Sequence, residues 1–339
     1  MRLPQFTYHS PDTLEGVLAL LDEHRDQAGV LAGGTDLLVR MKHRLAAPKV
    51  LVSLKHLDTL SYIKETSGMV SIGAKTPIID VIQSDRVRQQ APALVEACER
   101  IGAVSIQHYR GTIGGNILQD NRCIHYNQSQ FHRSGRQPCH KDGGKICYAR
   151  DEADRCNSTC QSDGATALMA LDAHLVLNSI RGERRVALDA FYSTDGIHPF
   201  DMQPDELLTR IDVPVVPEAV SAYARLSYRS AIDYPIVCAG VRLVPDPDDA
   251  GCIGSARIVV GAMGRSPLFL SKVSQSLTGI RFDNSTAFEQ AGKDAMNAAA
   301  AFAAHNAGAA LTYRQAMVEK MVGRVLSKAA AQVSIRKER

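Results

Sequence analysis

The chain has 339 residues, with 39 Lys and Arg against 36 Asp and Glu and a formal charge of +3. So near a balance gives no bulk electrostatic case for a nucleic-acid or anionic-membrane partner, and the lack of Trp with only 5% aromatics argues against a base-stacking platform. With 45% apolar and 22% charged residues, the composition is that of an ordinary globular protein long enough for about two or three domains.

In chain order, the opening MRLPQFTYHS has no apolar core of signal-peptide length. Residues 1–58 read as strand, helix, strand, helix, strand. Ser10-Pro11-Asp12 has the form of a helix start, a capping hydroxyl before a proline, and Leu14, Val17, Leu18 and Leu21 supply an apolar face. Gly29 to Ala32 is a short strand running into glycines. Leu37, Leu38, Met41 and Leu45 suggest a helix, and Val50 to Leu54 a strand. Residues 59–175 form a second α/β unit, with a strand at 70–73, a helix start at 77–82 and a helix at 91–101. In residues 176–330 strands are expected near 174–178, 207–213, 236–243 and 256–263, followed by helices near 286–305 and 310–332. The tail 331–339, above all Ile335 to Arg339, is polar and expected to fray. The Ala-rich stretch Ala295 to Leu311 is broken by Asn297, His305 and Asn306, so it reads as a helix of a water-soluble protein and not a membrane span. A cytoplasmic, reducing location is the expectation.

Two glycine loops carry the first chemistry. Leu31-Ala32-Gly33-Gly34-Thr35-Asp36 lies between a predicted strand and helix, and Arg110-Gly111-Thr112-Ile113-Gly114-Gly115-Asn116 lies in the second unit. Each lets backbone N–H groups approach an anion at a helix N-terminus. Each alone reads equally as a tight turn. Together they form a pair able to clamp a pyrophosphate between subdomains. Neither has the G-x-G-x-x-G of a Rossmann site or the Lys-Ser/Thr of a P-loop.

The eight Cys are unevenly spread. Cys98, Cys238 and Cys252 are scattered in apolar contexts and read as core residues. The other five follow Cys123-x15-Cys139-x7-Cys147-x8-Cys156-x3-Cys160. In a reducing compartment such a cluster points to metal or redox chemistry more than to disulfides. The segment is poor in apolar residues and cannot order itself by burying hydrocarbon. Zinc, an iron–sulfur cluster and an inert or disulfide-bonded loop all stand as readings. Zinc sites favour closer Cys pairs, although His125, His132 and His140 are available to substitute, while four thiolates on an irregular loop suit a 4Fe-4S cluster.

The two loops, together with Ser162-Asp163 before Ala167 to Ala173, Pro204-Asp205-Glu206-Leu207-Leu208 and Tyr228 to Pro235, resemble the FAD-binding medium subunits of the xanthine dehydrogenase and carbon monoxide dehydrogenase (molybdenum hydroxylase) family over nearly the whole chain. The resemblance implies an α+β architecture: a two-subdomain FAD-binding fold of the PCMH (vanillyl-alcohol-oxidase-like) type and a C-terminal α+β domain of the CO dehydrogenase flavoprotein type. It implies FAD held by Leu31, Ala32, Gly33, Gly34, Thr35 and Asp36 together with Thr112, Gly115 and Asn116. Gln119, Ser162 and Asp163 match positions on the ribityl and adenosine side, Leu208 an apolar contact of the flavin, and Arg225 a position held by Lys in some relatives. Core packing for Leu208 and helix capping for Asp163 are the plainer readings of those two residues alone.

Asn116 and Ser162 are 46 positions apart, where ordinary family members have about eight residues between them, so roughly 38 residues stand as an insert at about 120–160. Its cysteine spacing, the phrase Cys123-Ile-His-Tyr-Asn-Gln-Ser and the segment Ser230 to Pro235 resemble the 4-hydroxybenzoyl-CoA reductase branch. That likeness implies a 4Fe-4S cluster on Cys123, Cys139, Cys147 and Cys156, with Cys160 spare. It also implies a molybdopterin-binding large subunit, a 2Fe-2S small subunit, a dimer of heterotrimers, and ferredoxin as donor for reductive dehydroxylation of an aromatic acyl-CoA. The alternative is the flavin subunit of an oxidising molybdenum hydroxylase with outward electron flow. No acid–base catalytic residue is expected in this subunit. Arg122, Arg133, Arg136, Lys141 and Lys145 are basic residues available either to dock an acidic carrier or to form a solvated face.

Overall fold

The computed structural model describes residues 2–305 and 308–337. The first unit is a small parallel sheet. β1 (Thr7–His9), β2 (Ala28–Leu31) and β3 (Val50–Ser53) take the order β1-β3-β2, with Val50 opposite both Thr7 and Ala28. Helix α1 (Leu14–His24) lays Val17, Leu18 and Leu21 on this sheet, as its apolar spacing predicts. Its cap is Thr13 and not Ser10: the Thr13 hydroxyl accepts from the Gly16 amide at 3.1 Å, because the helix starts where the apolar period starts, at Leu14. Helix α2 (Leu37–Lys42) follows the first glycine loop. It stops before Leu45 because Arg44 turns left-handed at φ 58° and the Leu45 amide returns to the Arg40 carbonyl.

The second unit is a five-stranded antiparallel sheet ordered β4-β5-β8-β6-β7. Its strands are β4 (Ile63–Thr66), β5 (Met69–Gly73), β6 (His174–Ser179), β7 (Gly182–Ala187) and β8 (Leu207–Pro214). The sheet therefore crosses the boundary expected at 175/176. Strand β8 pairs with β5 and with β6, which joins β6 and β7 to the sheet of β4 and β5 and not to the later strands. Against it lie α3 (Ile78–Gln83), α4 (Asp85–Gln90), α5 (Pro92–Cys98), α6 (Ile113–Ile117), α8 (Asp163–Ala170) and α9 (Leu188–Phe191). The short helix α7 (Gln130–Ser134) belongs to the cysteine segment. Cys98 and Cys238 sit in this unit's core, whereas Cys252 is only half-buried beside the Asp249 carboxylate, since its loop lies outside the packed face.

The third unit is the antiparallel sheet β12-β11-β10-β9, from β9 (Val220–Leu226), β10 (Val237–Pro245), β11 (Ile253–Gly261) and β12 (Leu268–Phe269). Helices α10 (Ser271–Gln275), α11 (Ser285–Ala300) and α12 (Leu311–Lys337) cover one face. Glu338 and Arg339 of the expected fraying tail, and Asn306, lie outside the described residues. No helix among the described residues is long and apolar enough to cross a membrane.

Helix α8 is buried along its whole length, between the second unit and the third sheet. Gly261 permits this: a methyl group there would overlap the Thr166 hydroxyl and the Cys238 sulfur. Gly261→Val is expected to destabilise the chain by about 1–3 kcal/mol through overpacking, read as a lower urea midpoint without a change in slope.

Candidate functional site

A cleft of about 740 Å³ lies between the first two units, in the size range of a small-molecule or cofactor site. The two glycine loops meet in its wall. A Cβ on Gly33 would overlap the Arg110 carbonyl, so the loops approach this closely only because residue 33 is glycine. The cleft wall includes Ala32, Gly33, Gly34, Thr35 and Asp36 from the first loop. From the second unit come Thr112, Gly115, Asn116 and Gln119, then Asp163 and Leu208. Leu31 ends β2 and Ser162 and Arg225 stand behind the wall; these three do not line the cleft.

The polar groups are interlocked. Thr112 caps α6, its hydroxyl accepting from the Gly115 amide at 3.1 Å. Ser162 caps α8 by accepting from the Ala165 amide at 3.0 Å, and donates to Asn116 Oδ1 at 2.8 Å. Asn116 Oδ1 also accepts from the Gly164 amide at 3.1 Å, which ties the N-termini of α6 and α8 together. Asp163 is buried, accepts from the Tyr223 hydroxyl, and pairs with Arg225 Nη1 at 3.0 Å. Burial pushes its carboxyl above the ordinary range, opposed by Arg225 and Tyr223. The Arg225 side chain is 2% exposed, and its Nε and Nη2 have no hydrogen-bond partner. Burial likewise raises Asp36, with Arg40 and Arg122 pulling it down.

Sequence reasoning missed several wall residues. Arg40, Gln107 and Gln161 line the cleft, as do Arg229, Ile232 and Tyr234 from the segment after β9. Arg40 Nε and Gln161 Oε1 are buried and lack partners, so the wall retains unspent donor and acceptor capacity for a polar cofactor. Gln161, next to the recognised Ser162-Asp163 pair, had a local signal. Arg40 had only its place one turn after Asp36.

The cysteine segment leaves and re-enters the body at one neck, where Arg122 and Thr159 exchange backbone hydrogen bonds of 2.8 and 2.7 Å. Polar contacts hold it: Arg133 Nε to Asp142 at 3.1 Å, Arg150 Nη1 to the Ala301 carbonyl at 3.1 Å, and the His305 amide to the Ala149 carbonyl at 2.8 Å. Cys123, Cys139, Cys147 and Cys156 all line one small cavity of about 20 Å³, together with His125, His140 and Lys141. Cys160 does not line it. It is buried, with its amide on the Gly264 carbonyl. Burial pushes the Cys123 thiol up to about 11 and also raises Cys156, whose thiol Ser158 and Lys141 pull back down. No group of three or more His, Cys, Asp or Glu among the described residues is arranged to hold a metal ion. Of the basic residues expected to be available for docking, Lys141 and Arg133 are turned inward, with side chains 6% and 8% exposed. Each neutralises a carboxylate of the fold instead.

The sequence model described as the FAD binding domain in molybdopterin dehydrogenase matches residues 4–216, and that of the CO dehydrogenase flavoprotein C-terminal domain matches residues 221–329. The chain is 27% identical over 281 residues to the nicotinate dehydrogenase FAD-subunit of Eubacterium barkeri, covering 82% of this chain and 81% of that protein. It is 29% identical over 228 residues to the carbon monoxide dehydrogenase medium chain of Hydrogenophaga pseudoflava, covering 67% and 65%. The structure of carbon monoxide dehydrogenase from that organism, lacking the Mo-pyranopterin moiety of its molybdenum cofactor, superposes with a TM-score of 0.78 at 26% identity over 98% of this chain and 99% of that one. Gly33→Val should force the loops apart and lower FAD affinity at least about tenfold, measured by flavin release on dilution with the far-UV spectrum unchanged. With both family models in order along the sequence and the FAD-binding model spanning more than half of it, the chain belongs to the FAD-binding medium subunits of the molybdenum hydroxylase family.

Proposed function

We propose that this chain is the electron-transfer flavin subunit of an oxidising molybdenum hydroxylase, assembled with a molybdopterin-binding large subunit and a 2Fe-2S small subunit. The observation that carries the reading is the cleft. It joins two glycine loops, the cap of α6 and the α8 N-terminus around unpartnered polar atoms, in a chain whose relatives are named as dehydrogenase subunits. When bound, FAD exchanges electrons singly or in pairs, so it links one-electron carriers to two-electron chemistry. In this reading the protein's part is to bind and orient. The Gly33 loop would offer its amides to the pyrophosphate, the second loop, whose amides at Gly111 and Ile113 to Asn116 donate within the protein, would close the other wall, and Leu208 would supply an apolar one. Asp163, fixed by Arg225 and Tyr223, stays in place as a buried acceptor. No side chain is assigned proton transfer.

A second reading is favoured by one specific observation, the convergence of four cysteines on one cavity. In it Cys123, Cys139, Cys147 and Cys156 ligate a 4Fe-4S cluster, and the complex runs reductively from ferredoxin towards an aromatic acyl-CoA such as 4-hydroxybenzoyl-CoA. The donor set fits such a group: four thiols from an irregular loop, Asn157 donating to the Cys147 sulfur at 3.7 Å, and Lys141 nearby. A cluster takes one thiolate per iron, so its ligands stand wider apart than those of a single ion. The cluster itself is compatible with either direction of flow.

Anaerobic purification with iron, sulfide and flavin analysis and reduced-state EPR separates these claims. About four irons and one FAD per chain are expected if the cluster is present; zinc without acid-labile sulfide would refute it. Cys139→Ser should abolish the cluster signal with FAD retained, whereas Cys160→Ser should leave the iron content unchanged. Direction is decided on the assembled complex. Substrate-driven reduction of an artificial acceptor supports the oxidising reading, and acyl-CoA dehydroxylation with reduced ferredoxin supports the other.

A further inference from the structure

Two cations and one carboxylate run from the flavin cleft to the cysteine cavity. Arg40 lines the cleft, and its Nη2 lies 3.2 Å from Asp120 Oδ2. Asp120 Oδ1 accepts from Lys141 Nζ at 2.8 Å. Lys141 lines the cysteine cavity and also donates to the carbonyls of Asn121 and Gly196, at 2.9 and 3.0 Å. It also lies 3.5 Å from Ser158 Oγ, which accepts from the Cys156 sulfur at 3.4 Å, and 5.6 Å from the centre of the Tyr126 ring. The Asp120 and Lys141 side chains are 11% and 6% exposed, and Arg40 is 24% exposed.

We infer that Asp120 is a shared counter-ion that couples the electrostatics of the flavin cleft to those of the cysteine cavity, so that the two redox sites tune one another. The inference rests on the cluster reading above. Asp120 has one oxygen toward each cation, and Arg40 also lies 3.8 Å from Asp36. A cluster on four thiolates is anionic, and so is the FAD pyrophosphate. Arg40 lines the cleft and Lys141 the cysteine cavity, and Asp120 attenuates both positive charges. Interactions across a few ångströms of buried protein are screened far less than in water. Cluster potentials follow net charge and the hydrogen bonds around the sulfurs, and flavin potentials follow the charge near the ring system. A second contact repeats the arrangement: Arg122, the residue before Cys123, reaches Asp36 of the cleft at 3.8 Å and lies over the Tyr234 ring at 4.5 Å. Asp120 is thus a positioning and tuning residue that touches neither reacting group.

The test is redox titration of the full chain, purified anaerobically, following the flavin by absorbance and the cluster by EPR. In Asp120→Asn Lys141 loses its counter-charge and Arg40 keeps only the more distant Asp36, at 3.8 Å, so both midpoint potentials should move positive with iron and flavin content unchanged. In Arg40→Gln the freed carboxylate acts on Lys141, so both should move negative. This variant removes a more exposed side chain and keeps the test informative if Asp120→Asn folds poorly. A merely structural role would not give shifts of opposite sign in the two variants. Iron-replete variants with an unmoved cluster potential would overturn the coupling and leave the cluster reading intact. Wild-type chain without iron and sulfide would overturn both.

Discussion

The cleft depends on one close approach, the backbone of Gly33 against the carbonyl of Arg110. The first loop ends a parallel sheet and the second begins α6. Only the missing Cβ lets two main-chain segments pack at that distance. Once they do, both glycine loops border one cavity. The same contact fixes how far apart the walls can stand.

A second constraint holds the back of the site. Asp163 opens α8, is fully enclosed, and joins Tyr223 and Arg225 of β9. Burying an ion pair costs desolvation that its attraction only partly offsets, so its contribution is better read as register than as stability. It sets the rotation of α8 against the third sheet, and Gly261 makes room for the helix there. Asn116 passes that register on to α6. The C-terminal unit, which provides little of the cleft surface, thereby determines where the cleft's second loop sits.

The cysteine segment follows a different logic. It has little hydrocarbon to bury: Tyr126 and Ala149 are buried, while Phe131, Ile124 and Tyr148 are exposed. Salt bridges and backbone exchanges hold it down, and its cations are used inward against Asp36, Asp120 and Asp142. A loop fastened in this way keeps four thiols on one cavity without a core of its own.

The glycine loops, the element order of the first unit and the cysteine spacing were legible in the residues, because each depends on local backbone chemistry or on short-range period, whereas β4, β7, β9 and helix α8 were not read. The helix cap weighed for Asp163 falls one residue earlier, on Ser162, with Asp163 opening α8. The choice of Thr13 over Ser10, and the early stop of α2 at Arg44, were decided by the turn geometry each stretch adopts. What the sequence by itself determined, then, was where the glycine loops and the clustered thiols lie along the chain. The tertiary structure alone decided that β8 returns across some 140 positions to pair with β5. It alone decided that Arg40 and Tyr234 share a wall, and that Lys141 turns inward to Asp120 instead of facing solvent. Those outcomes are contacts between distant segments. Strand pairing and the search of a buried charge for its partner are settled by the whole packed molecule, and no local pattern encodes them.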